Sequence, residues 1–543
     1  MDPTAIEIRN PATGSISAMQ LKSMLHDGAE IAVLDVREEG VFAKRHLLLA
    51  AAVPLSRLEV RVPLLVPRRS TRVVICDGNE GLAQRAADKL IRHGYSDVMV
   101  LAGGVDAWAA EGYEVYSGIN VPSKAFGEFV EHRENTPRMA AQEIRAKLDA
   151  GEKVVILDSR PLAEYRKMSI PGGIDCPGAE LVYRVHDIAQ SPDTLVVVNC
   201  AGRTRSIIGA QSLINAGIPN RVVALKDGTM GWHLAGFELA RQQNLLAPQP
   251  SQAGLAKAKR AAARVAKRFD VRAIDVAMVA KFAQEMERRT LYLFDVRSPE
   301  EYAAGHLHST VNAPGGQLVQ TTDAFAATRN ARIVLIDDNG VRATMTASWL
   351  IQMGWKDVYV VKDALKSGPL LAGPTSPEVL GLKQVKCDYI TACELKRELD
   401  TGNATVIDFD TSLRYRDSHI PGAWFAIRAH LEHNLEQIPD AKPLVLASPD
   451  GIIAQLAAPE AAQLTQTPIK VLQGGTHSWR AAGFPVETGM THLADSTDDV
   501  RYRPYDRTDN VEEAMKDYLS WEVNLVKQIE RDDDVNFRTF ARV

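Results

Sequence analysis

Cysteine is scarce in this chain. Five occur in 543 residues, none at metal-ligand spacing, which excludes a disulfide framework and a cysteine metal site. Excess charge is missing too. Lys and Arg total 63 against 68 Asp and Glu, a net charge of −5, so nothing points to a nucleic-acid partner. No apolar run approaches the roughly 20 residues that span a bilayer, which argues against a membrane partner. The opening residues Met1-Asp2-Pro3-Thr4 lack a basic stretch followed by an apolar core, so no secretory leader is expected. A cytoplasmic location follows as the expectation, since a working thiolate favours a reducing compartment.

What is present is a repeat. A chain of this length should hold several domains, and 45% hydrophobic residues suit ordinary globular cores. An apolar strand ending in Asp occurs at Leu34-Asp35, Leu157-Asp158, Phe294-Asp295 and Ile407-Asp408. After intervals of 41, 42, 42 and 40 residues come loops that begin at Cys76, Cys200, Asp337 and Ser448. A Gly-rich turn ending in Trp108, Trp232 or Trp479 follows 32, 32 and 31 residues later in three of the copies. Two independent landmarks at matched spacing mark four tandem copies of one domain. They are assigned to residues 1–120, 125–245, 269–375 and 383–490, with a linker at 246–268 and a helical tail at 496–543. Near-continuous apolar strands such as Ile31–Leu34 and Arg72–Ile75 suit a buried parallel sheet, and helical spacing follows the loops. The expected fold class is α/β, four doubly wound domains with a C-terminal helical extension.

The copies differ in chemistry. The second reads Cys200-Ala201-Gly202-Arg203-Thr204-Arg205-Ser206, a thiol at the end of a strand, a short loop with two arginines, then a helical pattern. A helix N-terminus and two cations beside a thiol favour the thiolate, which is the nucleophile. The first copy keeps Cys76 but has Gly81 in place of the arginine, with Asp77 and Glu80 raising the thiol pKa. The third has Arg342 without a thiol, and the fourth, from Ser448, has neither. The third copy also lacks the Gly-rich turn, with Asp363-Ala364-Leu365 in its place.

The second copy resembles the rhodanese family of sulfurtransferases. The match rests on the Cys-x-x-x-x-Arg loop from Cys200 to Arg205, on Asp158-Ser159-Arg160, on Glu164-Tyr165 with Ile170-Pro171-Gly172-Gly173, and on Lys226-Asp227-Gly228 with Trp232. The resemblance implies a ping-pong sulfurtransferase that takes a sulfane sulfur from a small-molecule donor such as thiosulfate onto Cys200. The persulfide then gives its outer sulfur to cyanide or a thiol, with no cofactor beyond that covalent intermediate. Arg203 and Arg205 would bind the donor's sulfonate and depress the thiol pKa. The amides of residues 201–205, with Ala201, Gly202 and Thr204, would form the cradle. Phosphatases of the same fold carry one more residue between Cys and Arg, which argues against phosphate ester hydrolysis. The Cys-Gly-x-Gly-Val-Thr loop typical of 3-mercaptopyruvate enzymes is also absent, which favours thiosulfate or a persulfide such as glutathione persulfide.

Other residues leave alternatives open. Ser206 is either a hydrogen bonder to the site or a plain cap. Arg184 is either a pocket residue or half of a surface ion pair. Cys176 reads as a buried core thiol in preference to a resolving cysteine, and Cys387 and Cys393 receive no role. The basic, Ala-rich end of the linker reads as a solvated helix. The tail, through Val511, Met515, Tyr518, Leu519, Val523 and Leu525, reads as a helix packed on the body or on a second copy in a homodimer. The copies are expected to pack one with two and three with four, shaping the mouth of the Cys200 site. A different class of function stays open: a sulfur carrier or scaffold that receives sulfur from a partner protein and turns over poorly.

Overall fold

The computed structural model describes residues 14–375, 377–439 and 442–541. The opening residues Met1–Thr4, on which the leader expectation rests, lie outside them. Each copy builds one five-stranded parallel sheet with the same strand order, 1-5-4-2-3. In the second copy the order across the sheet is Arg138–Met139, Val222–Leu225, Leu195–Asn199, Val154–Asp158 and Ile174–Asp175. The central strand, Leu-Val-Val-Val-Asn, is buried at all five positions, as a β-branched strand covered on both faces should be. Cys200 follows its carboxyl end, the side on which open α/β sheets bind ligands. The helix Thr204–Asn215 begins four residues later and buries Ile207, Ala210 and Leu213.

Strand ends are tied by a repeated ion pair. Arg160 donates to both carboxylate oxygens of Asp158, at 2.8 and 2.7 Å, and to the Met168 carbonyl at 2.6 Å. Asp35 with Arg37 and Asp295 with Arg297 repeat the arrangement. The fourth copy has Asp410 where the arginine would stand, and burial together with Asp410 pushes the Asp408 carboxyl up to about 7.

The packing of the copies corrects the expected pairing. The first copy shares a core with the fourth, where Leu58, Val62 and Leu65 meet Tyr415, Phe425 and Ile427. The second shares one with the third, where Phe126 and Ile207 meet Val319 and Trp349. Charged groups follow the same division. Arg428 pairs with Glu59 at 2.8 Å, Lys89 bridges Glu59 and Glu460, and Arg342 of the third copy pairs with Glu180 of the second at 2.8 Å. The reason lies in the helices that follow the loops. Val341–Gln352 is buried at every position, so its small and apolar residues need cover on all sides, not only from their own sheet. A two-residue strand of the third copy, Thr328–Arg329, also adds antiparallel to Ile31–Asp35 of the first.

The linker helix corrects a second expectation. Gln252–Arg268 is not a solvated spacer. Ala258, Ala261, Ala262 and Val265 are buried where it packs between Leu181–Ile188 and Val341–Gln352. Alanines permit that close approach, and Arg268 reaches Asn215 at 2.6 Å and Glu134 at 3.2 Å. The tail forms the helix Val511–Ile529, which lies on Val121–Glu134, the helix connecting the first two copies. Among the described residues no helix is long and apolar enough to cross a membrane.

Candidate active site at the Cys200 loop

A relay of buried hydrogen bonds fixes where the loop begins. Asn199 donates to Asp158 at 3.0 Å and to Thr229 Oγ1 at 3.1 Å, and Thr229 donates to the Cys200 carbonyl at 2.9 Å. The Gly-rich turn rests directly on this backbone. Gly228 has φ +58°, and a Cβ there would lie 2.4 Å from the Cys200 carbonyl oxygen. The third copy has Ala364 at the matching place and forms only a short 3₁₀ turn, Ala364–Lys366.

Cys200 is 2% exposed and opens onto a cavity of about 80 Å³. Its thiol donates to Ser206 Oγ at 3.6 Å, and that hydroxyl donates to the Arg203 carbonyl at 2.7 Å. Ser206 therefore reaches the sulfur from inside the first turn. Burial pushes the Cys200 thiol above its ordinary value. Arg205 and the Ser206 contacts pull it back, and Glu522 adds to the rise. The expected depression is not seen, because burial outweighs the pull of Arg205 and Ser206.

Arg203 is fully engaged away from the sulfur. It donates to both oxygens of Glu128, at 2.7 Å each, to Glu131 at 2.6 Å and to Asp227 at 3.1 Å. Arg205 donates to Glu164 at 3.0 and 2.7 Å and to Gln317 at 3.3 Å. Burial alone would raise Glu164, but Arg205 overrides it and holds the carboxyl at about 2. Ala201, Gly202 and Thr204 line the cavity, and the Thr204 hydroxyl donates to Glu522 at 3.2 Å. Arg184 lies elsewhere, paired with Glu180 at 2.7 Å and donating to the carbonyls of Ala247 and Pro248. It is neither a lining residue nor a surface one. Cys176 is fully buried in the core of the second copy.

Much of the wall comes from outside the second copy; the other copies were expected to shape the mouth, but the connecting helix and the tail were not. Lys124 comes from the connecting helix, Gln317, Gln320 and Thr321 from the third copy, and Arg501, Arg503, Tyr505, Tyr518 and Glu522 from the tail. The available signal was the run Arg501-Tyr502-Arg503-Pro504-Tyr505, an unusual density of cations and aromatics in a segment outside the repeat. Glu522 is 2% exposed, accepts from Tyr518 at 3.0 Å through Oε1, and has no hydrogen-bond partner at Oε2.

The fold and site define a class: a four-copy α/β protein whose second copy alone, among the described loops, presents both a thiol and an arginine to a cavity. Its four domains match the rhodanese-like domain at residues 17–111, 140–235, 278–367 and 391–482, and the chain belongs to that family. It is similar to the crystal structure of thiosulfate sulfurtransferase from Pseudomonas aeruginosa, with 46% identity, 97% of this chain and 100% of that chain covered, and a TM-score of 0.92. A putative sulfur carrier protein, YrkF of Bacillus subtilis, is 24% identical over 136 residues, 24% of this chain and 72% of that protein.

Proposed function

We propose that the chain is a sulfurtransferase that moves a sulfane sulfur from thiosulfate, or a related persulfide donor, to a thiol or cyanide through a persulfide on Cys200. The carrying observation is the cavity itself, where one nucleophilic sulfur shares a small space with several cations. Full-length likeness to a thiosulfate sulfurtransferase supports the choice of donor. The Cys200 thiol first loses its proton to solvent. The thiolate attacks the outer sulfur of thiosulfate, a new S–S bond forms, and the donor's own S–S bond breaks with its electron pair leaving on sulfite. An acceptor anion then attacks the outer sulfur of the persulfide and returns the Cys200 thiolate. Ser206, already in contact with the sulfur, can turn its hydroxyl to donate to the thiolate. A reducing, cytoplasmic setting suits this chemistry.

The test is mass spectrometry and turnover together. Thiosulfate should add one sulfur to the wild-type chain and none to Cys200→Ser, and thiosulfate with cyanide should give sustained thiocyanate formation. Addition of one sulfur without turnover would favour the carrier reading, for which the likeness to a putative sulfur carrier is the supporting observation. Substantial turnover in Cys200→Ser would sink both.

A further inference from the structure

The loop arginines are neutralised by carboxylates, so the free positive charge of the cavity lies elsewhere. Lys124 is 5% exposed and lines the cavity. Among the described residues its ammonium has no carboxylate within ion-pair distance. It rests instead 5.0 Å from the Tyr518 ring centroid and 4.8 Å from that of Trp521. Arg501 lies 5.7 and 5.1 Å from the same two rings, and its Nη1 is buried without a hydrogen-bond partner. Arg501 also borders a second, wider cavity of about 510 Å³, with Tyr518 and Pro504 between the two spaces. Two cations from different segments therefore share an aromatic shelf where the outer space meets the Cys200 cavity. A buried guanidinium nitrogen without an acceptor, beside an ammonium that rests on two rings, is costly unless an anion meets them.

We infer that Lys124 and Arg501 form the anion subsite of the Cys200 cavity, holding the sulfonate of a dianionic sulfane-sulfur donor while its outer sulfur meets Cys200. The choice of ligand rests on the sulfur-transfer reading; the site itself rests on the two unmatched cations. When the donor's S–S bond breaks, the departing sulfite carries its charge on the oxygens these groups hold, so the subsite also stabilises the leaving group. Neither residue belongs to the repeat, and both are positioned by the connecting helix and the tail lying against each other.

The subsite should be sensitive to pH. Burial pulls the Lys124 ammonium down to about 7, Arg501 adds to the pull, and Glu522 opposes it, with Arg503 and Arg205 acting in the same sense as Arg501. On its own helix Glu128 is engaged by Arg203, and from the third copy Asp323, at about 6, faces it at longer range. Tyr518 lies beneath the ammonium, and burial raises its hydroxyl well above the usual range. An anion binds the protonated ammonium, so affinity should fall as pH rises through about 7.

The experiment measures thiosulfate binding by calorimetry to the full chain carrying Cys200→Ser, which removes the sulfur as a titrating group. Between about pH 6.5 and about pH 8.5 the Kd should weaken by roughly tenfold or more, because one proton is linked to binding. Adding Lys124→Arg should flatten this dependence to within about twofold while binding stays tight, since a guanidinium does not titrate in this range. Adding Arg501→Gln should weaken binding and move the fall in affinity to higher pH, because Arg501 helps hold the Lys124 ammonium down. No binding to the Cys200→Ser chain, or an unchanged slope with Lys124→Arg, overturns the inference. If the wild type gains sulfur from thiosulfate but binding ignores Lys124, the inference falls and the sulfur-transfer reading stands. If binding follows Lys124 but no sulfur is gained, the reading falls and the anion site stands.

Discussion

Arg205 holds Glu164 by both carboxylate oxygens, at 3.0 and 2.7 Å, on the wall of the Cys200 cavity. The pair does not stand alone, since Arg503 of the tail lies 3.7 Å from the same carboxylate. Arg205 is thus a fixed charge. Its orientation is set by a carboxylate ionised at every ordinary pH, and after burial it is the strongest influence on the Cys200 thiol. Arg205→Ala should raise the Cys200 pKa and lower kcat/KM for thiosulfate about ten- to a hundredfold, the scale of a lost charge-assisted contact. Arg205→Lys should recover little, because an ammonium cannot span both oxygens of Glu164. Near-normal kinetics in Arg205→Ala would show that the arginine serves only Glu164.

The Cys200 thiol of the free protein should titrate late. Burial dominates its surroundings and pushes it above its ordinary value, so iodoacetamide alkylation of Cys200 should keep accelerating into the alkaline range instead of levelling off near neutral pH. A saturating anion in the cavity excludes the reagent and should slow alkylation further. An alkylation profile that levels off near neutral pH would mean that the cavity stabilises the thiolate far better than its ion pairs imply.

The legible parts of this molecule were local ones. The loop Cys200–Arg205, the strand-end pair Asp158–Arg160 and the fourfold repeat are each written within a few dozen residues, so spacing revealed them. The carboxylates that neutralise Arg203 were less visible, because Glu128 and Glu131 belong to a helix some 70 residues upstream and look like an ordinary polar face. The pairing of first with fourth and second with third copies was hidden for a similar reason. Within one copy nothing distinguishes a helix face meant for the next copy from one meant for a more distant copy. Lys124 and the tail residues were beyond reach because their meaning comes only from the docking of Val511–Ile529 on Val121–Glu134.

Cys76 should be silent. It is fully buried, and burial together with Asp35, Asp77 and Glu80 raises its thiol well above the ordinary range, with Arg37 opposing. Cys76→Ser should leave turnover within about twofold of wild type, since an uncharged buried thiol is a poor nucleophile. Under native conditions Cys76 should resist alkylation, while Cys393, which is exposed, reacts freely. Loss of half the activity in Cys76→Ser would assign the first copy a catalytic share.

The seam between first and fourth copies should make stability depend on pH through Glu38. Its side chain is buried beside Ser56, Arg57 and Asp499, and Oε1 has no hydrogen-bond partner. Burial pushes the carboxyl up to about 7, Asp499 adds to the rise, and Ser56 and Arg57 oppose it. A carboxyl whose pKa is raised by folding binds a proton more tightly in the native state. Its contribution is complete below the unfolded value near 4.5 and is lost as pH rises through about 7. Removing the charge should therefore help only at higher pH. Glu38→Gln should match wild type in thermal unfolding at about pH 5 and exceed it by up to about 3 kcal/mol at about pH 8, the scale of a shift of roughly two units. Asp408, at about 7 in the same copy pair, adds a residual slope of the same sign that the variant keeps. A Glu38→Gln protein less stable than wild type at both pH values would show that the carboxylate is held by Arg57 as an ion pair, and that the seam tolerates its charge.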